Sequence, residues 1–228
     1  MVKAVKNQKH GFPFGKPSGK GIKVKICGIT NLADAKVAIA AGADALGFIF
    51  YPKSKRFIKP SDAKKIISRL PKSIKKVGVF VNEKKLRVRT IANVCQLDIL
   101  QFHGNESVGY CNHFKQKRII KAFRIKDTKS LKSISGYVVD AFLLDSYHRS
   151  HFGGTGKTFQ WEVVKKIKKL NTPIVLSGGL NPANIQGAIR KTEPYAVDVS
   201  TGVERIPGKK DHRLLRKFVK AAKTTRTA

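Results

Sequence analysis

Residues 23–30 read KVKICGIT, a β-branched run in which Val24 and Ile26 alternate with lysine and which delivers Cys27 onto Gly28. A cysteine at such a strand exit is either a small core residue or a reactive thiol. Acidic residues are scarce, so their placement is informative. Only Asp145, in FLLDS, and Asp198, in AVDVSTG, fall at or near the exit of an apolar strand. Each reads either as a carboxylate facing a site or as a loop or helix cap. Three glycine-rich stretches, HFGGTGKTF (151–159), SGGLNP (177–182) and STGVERIPGKKD (200–211), could bring backbone N–H groups onto an anion. A following helix start would add the positive end of a dipole, although ordinary tight loops have the same composition. GGTGKT is not a P-loop, because the position where that motif needs its first glycine is His151. The basic loop FYPKSKRFI (50–58) reads as a solvated loop or as a mobile lid whose Arg56 grips a carboxylate by paired hydrogen bonds.

Positioning such groups requires a repeating frame, and the chain has one. Short β-branched or aromatic runs predict strands over 24–28, 45–50, 76–81, 99–103, 119–124, 141–145, 173–177 and 196–200. Amphipathic stretches predict helices beginning near Asn31, Ser61, Glu83, Glu106, Thr128, Trp161, Asn181 and Asp211. Asn181-Pro182 places proline at a first helical position. The alternation implies parallel βα units, and runs such as ALGFIF and PIVLSG are apolar throughout, as when both faces are covered. Eight units in about 200 residues fit a single (β/α)8 barrel, an α/β fold of the TIM-barrel type. An open doubly wound sheet is the competing architecture, but its glycine fingerprint is missing from the first βα turn, CGIT. The barrel occupies residues 21–228. Residues 1–20 form a basic tail, with no acid before Asp34 and no periodicity, and are expected to be flexible.

In a barrel the reactive groups gather where strands end at their C-terminal side. That rule selects Cys27, Arg56, Asn82, Gln101, His103, Arg124, Asp145, Ser177 with Gly178 and Gly179, and Asp198 with Ser200, Thr201 and Gly202.

The composition narrows the function classes. Lys+Arg number 47 against 14 Asp+Glu, a net charge of +33. The basic residues are spread along the chain without a nucleic-acid-binding signature, so the expected partner property is non-specific binding of polyanions at low salt. No apolar run approaches the roughly 18–20 residues of a membrane span, so no membrane partner is expected. Cys27, Cys95 and Cys111 form neither a CxxC pair nor a disulfide framework, which suggests a reducing, cytoplasmic setting. No Cys/His cluster has metal-ligand spacing; His148 and His151 read as loop histidines. A monomer or a homodimer is expected.

Taken together, the segments KICGIT, GADALGFIFYPKSKRFI, VGVFVN, LDILQFHGNES, FLLDS with GGTGKTFQW, PIVLSGGLNPANI and AVDVSTGVERIPGKKD resemble the phosphoribosylanthranilate isomerase family of tryptophan biosynthesis. They run in family order from about residue 22 to 220. The resemblance implies a (β/α)8 barrel and an Amadori rearrangement of N-(5-phosphoribosyl)anthranilate, a phosphorylated small molecule, with no cofactor and no metal. It places the family's general base on Cys27 and its general acid on Asp145. The arginine that contacts the anthranilate carboxylate falls on Arg56. The phosphate-binding loops fall on Gly154 and Gly156, on Gly178 and Gly179, and on Ser200, Thr201 and Gly202. Asp198 matches an aspartate near the substrate, and Gln101 and His103 a polar strand end with a supporting role. Thr201 stands where serine is commoner, the N-terminal tail has no family counterpart, and the high charge is unusual for the family.

The two assigned groups need opposite states at neutral pH. A free aspartate near ~4 is ionised and a free cysteine near ~8.5 is mostly protonated, each the wrong form for its role. A cationic, amide-rich mouth is expected to lower the Cys27 thiol. Two other readings stay open. One is another phosphosugar barrel isomerase, which would carry aspartate rather than cysteine on the first strand. The other is a basic nucleic-acid-binding protein on a barrel scaffold, which would have no need of an intact Cys27, Asp145 and Arg56.

Overall fold

Val24 and Ile26 face one way along the first strand and Lys25 and Cys27 the other, because side chains alternate across a strand. In the computed structural model, which describes residues 12–16, 21–125, 134–146 and 172–225, both faces are covered. The strands are β1 (Lys23–Cys27), β2 (Ala45–Ile49), β3 (Lys75–Phe80), β4 (Ile99–Phe102), β5 (Arg118–Ile125), β6 (Ala141–Ser146), β7 (Ile174–Ser177) and β8 (Ala196–Val199). They run parallel in sequence order and close into a barrel, with β1 pairing β8 through Lys25 opposite Asp198. Every strand end lies within one residue of its predicted position, so the barrel stands and the open sheet does not.

Two apolar layers hold this sheet. The outer one packs Val24, Ile26, Leu46, Phe48, Leu100 and Phe102 against the helices. The inner one fills the lower barrel with Ala45, Val77, Ile99, Ile120, Leu143 and Val175. Burial on both sides is what a parallel barrel requires of its strands.

Six α-helices lie among the described residues: α1 (Leu32–Ala40), α2 (Pro60–Ile67), α3 (Lys85–Val94), α4 (Val108–Asn112), α5 (Ile185–Thr192) and α6 (His212–Thr224). Their starts follow local chemistry. Asn31, Ser107 and Asp211 each accept a backbone N–H of the first turn of α1, α4 and α6. Pro60 opens α2, where its missing N–H costs nothing. Three expected starts move. The helix expected near Glu83 begins at Lys85. Pro182 is not a first helical residue; it sits in a turn closed by Asn181 Oδ1, which accepts the N–H groups of Ala183 and Asn184, and α5 begins at Ile185. Glu106 turns inward to an ion pair, so α4 begins two residues later. The helices expected near Thr128 and Trp161 lie outside the described residues.

The N-terminal rim carries a repeated device. Asp44, Asp98 and Asp140 each precede an even-numbered strand and accept the N–H of Val24, Lys76 and Ile119 on the odd-numbered strand before it, at 2.7–2.8 Å. Tyr195 holds the corresponding place before β8. Its hydroxyl accepts the Phe14 N–H at 2.8 Å and donates to the Gly15 carbonyl at 2.9 Å. Phe12 and Phe14 stack on its ring, Arg118 donates to the carbonyls of Phe12 and Pro13, and Phe14 is only 4% exposed. This part of the tail is therefore docked under the barrel rather than loosely packed. The aromatic pair in GFPFG supplies apolar area that a wholly disordered basic segment lacks.

Candidate active site

Cys27 ends β1 on the inner face, 5% exposed. Gly28 then takes a φ of 76°, a left-handed turn that glycine adopts without strain. A side chain there would also press on Arg56, with a Cβ only 2.8 Å from Arg56 Cδ. The first strand's exit is thus packed against the loop after β2. Lys210, on the short strand β10 (Lys209–Lys210), donates to the Cys27 carbonyl at 2.6 Å and ties that exit to the loops after β8. Two residues before the thiol, on the same face, Lys25 is fully buried and its ammonium donates to Asp198 Oδ1 at 2.9 Å. Burial pushes the Cys27 thiol up, against the pull of Lys25; a fall below the usual thiol range does not occur. Desolvation opposes the charge on Lys25, but Asp198 and Cys27 together hold its pKa above the ordinary value. Asp198 therefore faces a lysine, and its position in this site is that of a counter-ion.

Asp145 ends the inner face of β6 and pairs across the sheet with Arg124 and Ser177. Its Oδ2 lies 3.3 Å from His103 Nε2. The Gln101 amide meets His103 Nδ1 at 3.1 Å, so with that amide donating, Nε2 carries the hydrogen aimed at Asp145. The backbone on either side of His103 is held by Lys121, whose buried ammonium reaches the Phe102 carbonyl at 3.4 Å, the Gly104 carbonyl at 2.8 Å and Glu106 at 3.0 Å. Glu106 in turn accepts the N–H groups of Asn82 and Gly104. Every charge of that pair is satisfied, the condition under which a buried ion pair fixes a loop. Above β3–β5 a cleft of about 480 Å³ is lined by Asn82, His103, Asn105, Arg124 and Tyr137.

Arg56 does not extend freely into solvent as a lid would. Its Nε and Nη2 meet Glu204, at the start of β9 (Glu204–Ile206), at 2.8 and 2.6 Å, and Nη2 reaches Thr201 Oγ1 at 3.4 Å. Lys210 reaches the same carboxylate at 2.9 Å. Burial works against the Glu204 charge, yet the two cations hold its carboxyl below the ordinary range. Gly178 and Gly179 carry positive φ, and a Cβ on Gly179 would meet nothing within 4 Å. Gly202 serves packing: a Cβ there would overlap the Leu180 carbonyl, so this glycine lets the loops after β7 and β8 touch. Ser200 Oγ is buried beside them with no partner among the described residues. Gly154 and Gly156 lie outside the described residues.

The predicted residues Cys27, Arg56, Ser200, Thr201, Gly202 and Asp198 thus come together at one side of the mouth, and Gln101, His103 and Asp145 on strands β4 and β6. Sequence reasoning missed Lys25, Lys210, Glu204, Lys121 and Glu106. For Lys25 and Lys121 the signal was a lysine inside an otherwise barrel-forming strand, which a barrel buries on either face; Lys210, Glu204 and Glu106 lie outside the barrel strands and carried no such signal. Cys95 and Cys111 are core residues. Cys95 Sγ donates to the Pro60 carbonyl, and burial pushes the Cys111 thiol up to about 11. Among the described residues no cluster of His, Cys, Asp or Glu is placed to hold a metal ion.

Comparison with known proteins gives this arrangement a context. Residues 24–221 match the family model described as N-(5′-phosphoribosyl)anthranilate (PRA) isomerase. The enzyme of that name from Pelobacter propionicus is 50% identical over 206 residues, 90% of this chain and 98% of the relative. A monomerised form of the dimeric isomerase from Thermotoga maritima superposes with a TM-score of 0.80 at 42% identity, covering 89% of this chain and 98% of that one. An isomerase solved with reduced 1-(o-carboxyphenylamino)-1-deoxyribulose 5-phosphate gives 0.79 at 41% identity, with the same coverage.

Proposed function

The chain belongs to the N-(5′-phosphoribosyl)anthranilate isomerase family, and from that premise we propose that Cys27 is the general base and Asp145 the general acid of its reaction. The enzyme isomerises N-(5-phosphoribosyl)anthranilate, an aldosamine, to 1-(2-carboxyphenylamino)-1-deoxyribulose 5-phosphate in L-tryptophan biosynthesis. The observation that supports the residue roles most is that both groups end inner-face strands at the same mouth. Cys27 lies beside a buried ammonium and Asp145 on an imidazole N–H.

The phosphate end of the substrate is held by the loops after β7 and β8, where Ser200 Oγ has no partner among the described residues and the backbone above Gly179 is open. Arg56, fixed by Glu204, presents its remaining N–H groups to the anthranilate carboxylate. Fixing both ends removes translational and rotational freedom before the chemistry. Asp145 then protonates the ribose ring oxygen, and the ring C–O bond breaks as the anthranilate nitrogen forms an iminium. The Cys27 thiolate takes the C2′ proton, and the C–H electrons move to neutralise the iminium as an enolamine. Protonation at C1′ and loss of the hydroxyl proton at C2′ complete the ketone. His103 and Gln101 support Asp145, and Asp198 acts through Lys25.

The same reading extends to the rest of the molecule. Residues 21–228 form the catalytic barrel and the tail before them is an appended segment. The enzyme works in the cytoplasm as a monomer or homodimer, and the net charge of +33 makes it bind polyanions non-specifically at low salt.

The loss of substrate fluorescence, followed with wild type and Cys27→Ser side by side, tests the central assignment. Turnover should fall steeply in the variant while the substrate still binds, because a hydroxyl is a far poorer base. A variant that turns over near the wild-type rate would falsify the base role of Cys27.

A further inference from the structure

The lower barrel is filled by alanine, valine, isoleucine and leucine, yet one level above them the inner face of β1 carries a lysine with no solvent exposure. Burying an ammonium on a single carboxylate is costly, and an apolar pair of the same shape is often at least as stable. Something other than stability accounts for it. Lys25 and Cys27 project from the same strand two residues apart, so they share the inner face. On the neighbouring strand the residue in register with Cys27 is Gly47. A Cβ at Gly47 would come within 2.8 Å of Cys27 Sγ and 3.0 Å of Lys25 Nζ. Thiol and ammonium thus converge on one space that only glycine leaves open. Across the other neighbour, Asp198 Oδ1 holds the ammonium at 2.9 Å.

We infer that Asp198, Lys25 and Cys27 form one working unit, in which Lys25 is a positioning residue that stabilises the thiolate form of the base and Asp198 tempers that effect. The inference rests on the reading of Cys27 as the base. Lys25 neither gives nor takes a proton in the cycle. The thiol proton passes to solvent as the thiolate forms beside the fixed positive charge, and the thiolate then takes the proton from C2′. Other charged groups face Cys27 as well. Lys210 reaches its carbonyl from β10, and Arg56 packs on Gly28 from the loop after β2. Within this set Lys25 is the strongest electrostatic influence favouring the thiolate and Asp198 the one opposing it, with burial as the background that both work against or with.

The two members of the ion pair should therefore have opposite effects, which a merely structural bridge would not produce. The test uses full-length chain with Cys95→Ala and Cys111→Ala, so that Cys27 is the reactive thiol, and follows alkylation by iodoacetamide against pH. Lys25→Met should move the alkylation midpoint, and the alkaline-rising limb of kcat/KM, to higher pH, lowering kcat at neutral pH by 10-fold or more with little change in KM. Asp198→Asn should move the alkylation midpoint to lower pH. The double variant Lys25→Met/Asp198→Asn removes both charges without leaving either buried alone, and keeps the test open if Lys25→Met does not fold; its midpoint should stay above wild type. Folded variants with unchanged midpoints, or with both single variants shifted the same way, overturn the inference. Cys27→Ser separates the two levels: if it stays active the base assignment fails, whereas if it is inactive and the midpoints do not move, only the role of Lys25 fails.

Discussion

Arg56 meets Glu204 side-on, through Nε to Oε1 at 2.8 Å and Nη2 to Oε2 at 2.6 Å, a fork-to-fork pair joining the loop after β2 to the loop after β8. Such a pair fixes the guanidinium plane as well as its charge. The Glu204 side chain is 3% exposed and is also held by Lys210, so the guanidinium proposed as the carboxylate clamp is already aimed. Arg56→Ala should raise KM 10-fold or more with a smaller effect on kcat. Glu204→Gln should raise KM less, because the guanidinium remains but is no longer held in its plane. Steady-state kinetics of both variants checks this, and an unchanged KM in Arg56→Ala removes the carboxylate clamp.

Asp145→Asn should cost at least as much turnover as Cys27→Ser, within the roughly 10²–10⁴-fold that a general acid or base supplies. Cys95→Ala with Cys111→Ala should leave kcat and KM near wild type, since both thiols are enclosed by core packing. Loss of activity in that double variant without loss of fold would show that the wrong cysteine had been chosen.

The same Glu204 predicts an acid-sensitive contribution to stability. Its carboxyl is lowered in the folded protein, with burial opposed by Arg56 and Lys210. Its contribution is present above the unfolded carboxylate pKa and is lost as pH falls through the lower folded value. The destabilisation caused by Glu204→Gln, measured by urea unfolding, should be largest near neutral pH and shrink as pH drops below the ordinary carboxylate range. A pH-independent difference would contradict the assignment.

Phe14→Ala should destabilise the barrel without touching catalysis, because the tail docks on the rim opposite the mouth. A fully enclosed phenylalanine costs about 3–5 kcal/mol on truncation, and a segment free to undock should cost about 2 kcal/mol. For a chain of this size that corresponds to ~4–8 °C in Tm. Calorimetry of the variant against wild type is the check, and equal Tm values would mean the docked tail adds nothing.

Salt should weaken substrate capture. The substrate carries a phosphate and a carboxylate, and the protein carries +33. Raising ionic strength from about 0.01 M to about 1 M shortens the screening length from ~30 Å to ~3 Å, so kcat/KM should fall several-fold while kcat changes little. A flat salt profile would confine electrostatics to the residues in direct contact.

The strands were legible because a parallel barrel buries both faces and so writes apolar runs bounded by glycine and polar residues. Ala45–Ile49 and Ile174–Leu176 are of this kind. The same double burial concealed Lys25 and Lys121. In a half-exposed strand an alternating lysine faces water, but here Lys25 faces the barrel interior and Lys121 the helix layer, each with less than 3% exposure. Closure is a property of eight strands together, and no local window reports it. Cys27 and Asp145 could be placed from strand ends alone, whereas Glu204 could not. It lies past the eighth strand, and its partner Arg56 is 148 residues away in the chain.

The lower rim counts the strands in twos. Asp44, Asp98 and Asp140 each reach back one strand, binding β2 to β1, β4 to β3 and β6 to β5. In the fourth quarter the aspartate's place is taken by Tyr195, and there the N-terminal segment comes in to seat itself. The repeat sets the seams along which this enzyme could be divided. A chain reopened between β2 and β3, or between β4 and β5, keeps each carboxylate with its amide, and two such pieces carry a ready-made edge on which to rejoin. A break inside a pair separates them. Residues 12–16 are seated at the one quarter where a tyrosine stands in the aspartate's place.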